Sequence, residues 1–394
     1  MLNFEFYSPT KMFFGEDTHL NVASSIQEFG GSRVLLHYGG GSAVKSGLIG
    51  QVTKALADAG IYFTELGGVK PNPRLSLVRE GINLCHEHNI DFILAVGGGS
   101  VIDSAKAIGL GTAYDGDVWD FFLRKNTPAK TTPMGCILTI ASAGSESSNS
   151  CVIRNEDEPT KRGLGSDVVR PKFAILNPNL TLGLDKFQVA CGVTDILMHT
   201  LDRYFANTGE ADVTERIAEG LMITIFKHGI INVNDPQNYT SRANMMWAGS
   251  LSHNTLTGLG KNFDFSVHAM ERGISGRYDT AHPAGLSSVW GSWARYVYKD
   301  NIEGFCQYGV NVLGLTLDKD NPEKTALEAI SKTEDFFISI GMPIKLSSLI
   351  TTHTPTEEEL DEIAGFATGN DTVAIGTFKK LSKSDVVQIL KNSL

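Results

Sequence analysis

A chain of 394 residues is too long for one compact core, so two domains of ordinary size are expected. Its 42% hydrophobic and 20% charged residues are those of a water-compatible globular protein, and a formal charge of −10 argues against nonspecific nucleic-acid binding, which needs clustered Lys and Arg. No stretch reaches the length of a membrane span, and the opening Met1-Leu2-Asn3-Phe4-Glu5-Phe6 has no basic stretch ahead of an apolar one, so a cytoplasmic location is expected. The cysteines (Cys85, Cys136, Cys151, Cys191, Cys306) are odd in number and form no C-x-x-C, so they read as buried, reduced thiols.

In chain order, an aromatic-rich opening leads into a predicted helix over 18–29. The apolar run 33–37 has the character of a buried parallel strand; it meets Tyr38-Gly39-Gly40-Gly41-Ser42 and a helical pattern reaching 59. A strand at 61–65 precedes a segment whose Pro71 and Pro73 forbid regular pairing, then a helix over 74–88. The strand at 91–96 runs into Gly97-Gly98-Gly99-Ser100 and a helix over 101–110. Further strands are predicted at 135–140, 151–154 and 173–176, before Asn177-Pro178-Asn179-Leu180 breaks the pattern. Such alternation predicts a parallel sheet with helices on both faces. Beyond about 181 strand signals nearly vanish. Helical periodicity fills 185–206, 211–230, 240–258, 262–272, 286–299, 302–315, 323–340, 356–366 and 382–391. The division is therefore placed there: 1–181 an α/β dinucleotide-binding domain of Rossmann-like character, 182–394 an all-α metal-binding domain.

Two glycine loops carry the nucleotide expectation. In Gly97-Gly98-Gly99-Ser100, the missing side chains let a diphosphate approach the backbone, while free N–H groups and the helix dipole favour its charge. The spacing is not G-x-G-x-x-G. Asp103, a turn into the helix, is either an N-terminal charge or a cofactor contact. At the earlier loop, Gly39, Gly40 and Ser42, with Lys45 a turn further on, offer no carboxylate for a ribose 2′-hydroxyl and leave room for a 2′-phosphate; NADP(H) is favoured over NAD(H).

The metal expectation rests on 192–285. Asp195 and His199 are four apart and share one helix face; His268 and His282 follow. One carboxylate and three imidazoles without a thiolate suit Fe(II), Zn(II) or a similar ion. His253 is an additional imidazole, more readily a satisfied core histidine than a fifth ligand. Met198, Met245, Met246, Trp247, Phe263 and Phe265 are expected in the core or at a substrate pocket.

Together these motifs resemble the iron-containing (group III) alcohol dehydrogenase family, in particular its butanol-dehydrogenase-like branch. The match runs nearly end to end: Gly97-Gly98-Gly99-Ser100-x-x-Asp103, Pro71-Asn72-Pro73, Thr139-x-x-Ser142-x-Gly144-Ser145-Glu146, Asp195-x3-His199, His268, His282 and a closing segment from Gly376-Thr377-Phe378 to Leu390. The resemblance implies the dehydroquinate-synthase-like fold, an α/β nucleotide domain followed by a helical one. It implies Fe2+, or Zn2+, on Asp195, His199, His268 and His282, and a diphosphate on Gly97, Gly98 and Ser100. It sets Asn72 near the ribose region, Thr139 and Ser142 along the cofactor, and Lys161 toward the nicotinamide ribose. It further implies hydride transfer between a primary alcohol or aldehyde, such as butanol or butyraldehyde, and the nicotinamide, and a homodimer. Arg272 stands where many members carry a second histidine, and Pro283 where glycine is usual. No general base is unambiguous; His253 is a possible proton relay. The alternatives are a glycerol-dehydrogenase-like polyol enzyme and a nonenzymatic nucleotide-binding sensor.

Overall fold

A computed structural model describes all residues except Pro159 and Thr208, and the side chain of Thr160. The chain divides into two compact units, Tyr7–Leu184 and a second made of Met1–Phe6 with Asp185–Leu394.

In the first unit the chain runs β1 (Lys11–Phe14), α1 (Val22–Glu28), β2 (Arg33–Gly39), α2 (Ser42–Lys45), α3 (Leu48–Asp58), β3 (Tyr62–Val69), α4 (Leu75–Glu87), β4 (Phe92–Gly97), α5 (Gly99–Thr112), α6 (Trp119–Phe122), β5 (Met134–Leu138), β6 (Ser150–Asn155), β7 (Thr160–Gly165) and β8 (Phe173–Leu176). Among the described residues these strands form a six-stranded parallel sheet of order β1-β8-β5-β4-β2-β3 and a separate antiparallel ribbon of β6 and β7. Every residue of β4, β5 and β8 is buried, which is why these segments read as unbroken apolar runs. From β2 the chain moves outward to β3, and from β4 it moves the opposite way to β5. Adjacent strands β2 and β4 therefore bracket a topological switch point, where open α/β sheets bind ligands beyond their carboxyl ends. Both glycine loops begin at those two strand ends.

The run at 151–154, expected as one more strand, lies in the ribbon instead of the sheet. Its partner β7 (Thr-Lys-Arg-Gly-Leu-Gly) is too polar to show a strand pattern, and β1 was hidden because four residues on a sheet edge give little periodicity.

The second unit is helical: α7 (Lys186–Tyr204), α8 (Asp212–Asn234), α9 (Tyr239–His253), α10 (Ser266–Tyr278), α11 (His282–Val297), α12 (Ile302–Asn311), α13 (Pro322–Ser339), α14 (Leu346–Leu349), α15 (Glu357–Ala367) and α16 (Lys383–Asn392). Helix α7 is buried on all sides from Val189 to Tyr204, as expected of a helix at the centre of a bundle. Met198, Met245 and Met246 are fully buried, whereas Trp247 is 43% exposed and departs from its expected core position. It directly follows the buried pair on α9, and consecutive helical positions face different ways. All the cysteines are buried and unpaired. Among the described residues no helix is long and apolar enough to cross a membrane.

One buried histidine beneath the first glycine loop makes the sheet unit sensitive to acid. His37 on β2 is fully buried; its Nδ1 lies 2.9 Å from the Leu66 carbonyl oxygen and its Nε2 2.8 Å from Ser104 Oγ on α5. Because a carbonyl only accepts, Nδ1 carries the proton and Nε2 accepts from Ser104. Burial lowers the His37 pKa to about 4. Between the ordinary imidazole value and about 4, the unfolded chain binds a proton that the native chain refuses. Native stability from this residue is thus complete above about pH 6.5 and declines as pH falls toward 4, by about 3 kcal/mol in all. Urea unfolding from pH 7 to pH 4 is expected to show that slope, and His37→Gln to flatten it by a comparable amount.

Candidate functional site

The helical unit gathers its chemistry on three helices. Helix α7 starts at Asp185, whose carboxylate accepts from Gln188 N at 2.8 Å as an N-cap. Asp195, His199 and Asp202 follow at i, i+4 and i+7, a stripe on one face. Helix α10 brings His268 and Glu271, one turn apart, and α11 opens with His282. Ligand atoms of Asp195, His268 and His282 lie within 4.8 Å of one another, the geometry a single ion needs. His199 lies against this trio without being part of it: its Nδ1 is 3.3 Å from Asp195 Oδ1, and its ring centroid is 4.6 Å from that of His268.

Two more carboxylates fix the imidazoles. His268 Nδ1–H donates to Asp202 Oδ2 at 2.6 Å, and His282 Nδ1–H donates to Glu271 Oε2. Each ring is thereby held in the tautomer whose Nε2 keeps its lone pair, the usual outer-shell arrangement of metal-bound histidine. His282 Nε2 sits 3.7 Å from Asp195 Oδ1. His268 Nε2 and His199 Nδ1 are buried and have no hydrogen-bond partner among the described residues. A buried polar atom in that state costs about 1–3 kcal/mol, which a bound cation would recover. Burial, then neighbouring His282, holds His268 well below the ordinary imidazole range. Burial followed by His268 and Arg203 does the same for His199, so both offer lone pairs. Burial pushes Asp202 up to about 7, with Arg203 pulling the other way.

The backbone fixes these positions. Asp264 N donates to the Asp202 carbonyl at 2.9 Å, tying the start of α10 to α7. The Asp264 carboxylate accepts from Ser266 N at 3.0 Å and from Thr377 N and Phe378 N at 2.8 Å each, so the closing segment is anchored under the same helix end. Pro283 occupies the first turn of α11, where a missing N–H is harmless. A Cβ at Gly285 would come within 2.9 Å of Glu271 Cγ, so glycine there lets that side chain reach His282.

His253, at the end of α9, accepts at Nδ1 from Arg203 Nη2 at 2.9 Å, and its ring lies 4.1 Å from that of His199. Arg203 also donates to the His199 carbonyl at 2.8 Å and lies over Phe263 and Phe265. Arg272, one turn beyond His268 on α10, is half-buried, and its charge is among the influences lowering His268.

In the sheet unit, Gly97 ends β4, Gly98 caps α5 and Ser100 lies in its first turn. A Cβ on Gly98 would fall 2.2 Å from Ile140 Cγ2, and one on Gly97 2.3 Å from Val101 Cγ2. Close packing against Ile140 and Val101 therefore demands these glycines whether or not a ligand binds. Thr139 N donates to the Gly97 carbonyl at 3.1 Å, which lays the segment carrying Thr139 and Ser142 beside the loop. Gly39 closes β2, Gly40 follows it, and Ser42 opens α2 after Gly41, whose φ of 153° suits glycine. Asn72 is buried in a left-handed conformation, φ 55°. Lys161 is buried on β7 opposite Arg154. The Asp103 carboxylate accepts from Ser145 Oγ at 2.5 Å and from Val152 N at 2.8 Å.

The sequence reading passed over Asp202, Glu271 and Arg203. The signal was present: Asp202 is three residues past His199 and Glu271 three past His268, each on the face of its histidine.

Comparison with known proteins places these features. Residues 9–178 match a family described as iron-containing alcohol dehydrogenase, and 189–394 match the C-terminal part of the Fe-containing alcohol dehydrogenase family. The chain is 40% identical over its full length, and over all of the relative, to NADH-dependent butanol dehydrogenase A of Clostridium acetobutylicum. It is 33% identical to the NADPH-dependent aldehyde reductase YqhD of Escherichia coli, covering 88% of this chain and 89% of that one. The crystal structure of NADH-dependent butanol dehydrogenase A from Thermotoga maritima superposes with a TM-score of 0.94 at 33% identity, covering 100% of this chain and 99% of the other.

Asp202→Asn keeps the shape of the His268 partner but removes its charge. It is expected to weaken Zn2+ binding about 10–100-fold in competition with a chromophoric chelator; an unchanged affinity would take Asp202 out of the site.

Proposed function

Because the chain belongs to the iron-containing alcohol dehydrogenase family, and is an NAD(P)-dependent oxidoreductase of that class, we propose that it interconverts a primary alcohol and its aldehyde, such as butanol and butyraldehyde, using NADP(H) and a divalent ion. The observation that carries this reading is the group of buried Asp195 and His268 and part-buried His282 with His199 beside it, where His268 Nε2 and His199 Nδ1 have no hydrogen-bond partner among the described residues. We assign Asp195, His199, His268 and His282 as the ligands. Fe2+ is the favoured ion, and Zn2+ suits the same oxygen and nitrogen donors.

When bound, the ion supplies Lewis acidity toward an alcohol or carbonyl oxygen and the dinucleotide carries the hydride. The chain's own groups prepare for this. Asp195 contributes one negative charge, so the site with a divalent ion keeps a net charge of about +1, suited to a developing alkoxide. Asp202 and Glu271 hold the Nδ1 protons of His268 and His282 and aim each Nε2 inward. Arg203, by donating to His253 Nδ1, leaves the His253 proton on Nε2; His253 is in this way a fixed donor, placed for a proton relay. On the sheet unit, Gly97, Gly98 and Ser100 take the diphosphate at the start of α5, and Asn72, Thr139, Ser142 and Lys161 line the rest of the cofactor's course.

What supports NADP(H) is the end of β2, where Gly39, Gly40 and Ser42 bring no carboxylate against a 2′-phosphate. A second reading, NAD(H), is favoured by the names of the Clostridium acetobutylicum and Thermotoga maritima relatives. We further infer a cytoplasmic homodimer acting on small molecules, with no nucleic-acid partner.

His268→Ala is expected to lose bound metal and butyraldehyde reduction together; full turnover in metal-depleted His268→Ala protein would refute the ligand assignment. Rates with butyraldehyde and NADPH, set against glycerol and NAD, separate this reading from a polyol dehydrogenase. Ser42→Asp is expected to lower the NADPH over NADH ratio of kcat/KM about tenfold or more, by repulsion of the 2′-phosphate; an unmoved ratio would put the discriminating contact elsewhere.

A further inference from the structure

Helix α5 carries a buried lysine and, one turn earlier, a half-buried aspartate. Lys106 is 1% exposed, and its ammonium is surrounded by oxygens of one short segment: the carbonyls of Ser145 at 2.7 Å, Ser148 at 3.0 Å and Ser150 at 2.8 Å, with the hydroxyls of Ser145 at 3.0 Å and Ser148 at 3.3 Å. One turn earlier, Asp103 takes the Ser145 hydroxyl and the Val152 amide. Ser145 is thus gripped from both sides.

The gripped segment is the continuation of the chain that lies on the glycine loop. Thr139 bonds to Gly97, Ile140 packs where a Gly98 side chain would stand, and the position of a Gly99 Cβ is 3.1 Å from that of Ala143. Among the described residues the chain between β5 and β6 has no sheet partner, so its inward carbonyls need donors from elsewhere. Lys106 donates to those of Ser145 and Ser148, while Arg170 donates to the Ser147 carbonyl at 2.6 Å and Ser166 N to that of Asn149 at 2.8 Å. A lysine is an expensive way to satisfy a loop that only had to fold, since burial penalises its charge. It does, however, hold the loop from the same helix whose first turn the proposed function gives to the diphosphate.

We propose that Lys106 and Asp103 are positioning residues for the dinucleotide: from within α5 they clamp 139–150 onto the glycine loop and so set how tightly the cofactor is held. This rests on the reading that the glycine loop takes a dinucleotide. Neither residue touches the cofactor in this account; Asp103 acts through Ser145 and Val152.

The test is direct binding. Lys106→Met, in the full-length protein, is expected to raise the Kd for NADPH and NADH about tenfold or more by calorimetry, with kcat at saturating cofactor and bound metal close to those of the unsubstituted protein. Asp103→Asn and Ser145→Ala are expected to give smaller rises in the same direction, and Lys106→Arg to recover part of the loss. Amide hydrogen exchange is expected to show 139–150 losing, in Lys106→Met, the protection that NADPH confers on the unsubstituted protein. A folded Lys106→Met protein with unchanged Kd, or one that loses kcat with Kd unchanged, overturns the clamp. If Lys106→Met does not fold, Asp103→Asn and Ser145→Ala decide by the same criterion. If the unsubstituted protein binds neither dinucleotide, the parent reading falls and this one with it, a result distinct from failure of the clamp alone.

Discussion

The contact between imidazole Nδ1 and carboxylate, made at His268 with Asp202 and at His282 with Glu271, is the constraint on which the helical unit depends. An imidazole free to rotate or change tautomer offers its lone pair in no fixed direction. Here each ring is committed by an acid on a neighbouring turn or helix, and the ligand atoms converge because those acids are themselves placed by helix geometry. Asp202 lies on the stripe of Asp195 and His199, and Glu271 reaches α11 past a glycine. Burial does the rest by keeping His199 and His268 unprotonated.

The sheet unit solves a different problem, that of leaving backbone uncovered at the ends of its strands. Its answer is topological: two strands that send the chain in opposite directions leave their ends open, and glycine there removes side chains from the approach. The polar interior beside it carries cost. Lys106 and Asp103 are each pushed by burial toward their neutral forms, and each is held back chiefly by the other's charge. Such a pair survives only when its hydrogen bonds are satisfied, as those of Lys106 and Asp103 are.

Much of this was legible in the sequence, for physical reasons. Buried parallel strands such as Phe92–Gly97 and Phe173–Leu176 announce themselves as apolar runs, and strand followed by glycines followed by helix is a local pattern. Asp195 and His199 stand out because their spacing matches one helical turn. What stayed hidden depends on contacts distant in sequence. The partnership of Asp202 with His268 spans 66 residues, so the local spacing puts Asp202 on the face of His199 without naming the ring it holds. Lys106 was passed over for the same reason: a lysine three residues past an aspartate reads as surface, and only the fold turns it inward. The strand at 151–154 was legible as a strand, but its pairing with β7 and not with the sheet is decided by tertiary contacts.

The division of the chain has a consequence of another kind. Met1–Phe6 belong with the helical unit, where Leu2 N donates to the Gly260 carbonyl at 2.9 Å, while the residues from Tyr7 onward build the sheet unit. The backbone therefore passes from one unit to the other twice, once after Phe6 and once after Leu184. A single protease nick at either crossing leaves both halves covalently tethered through the other. Expressing 185–394 alone would also strip that unit of its own first strip of chain, so a clean dissection of this molecule calls for grafting the opening hexapeptide back.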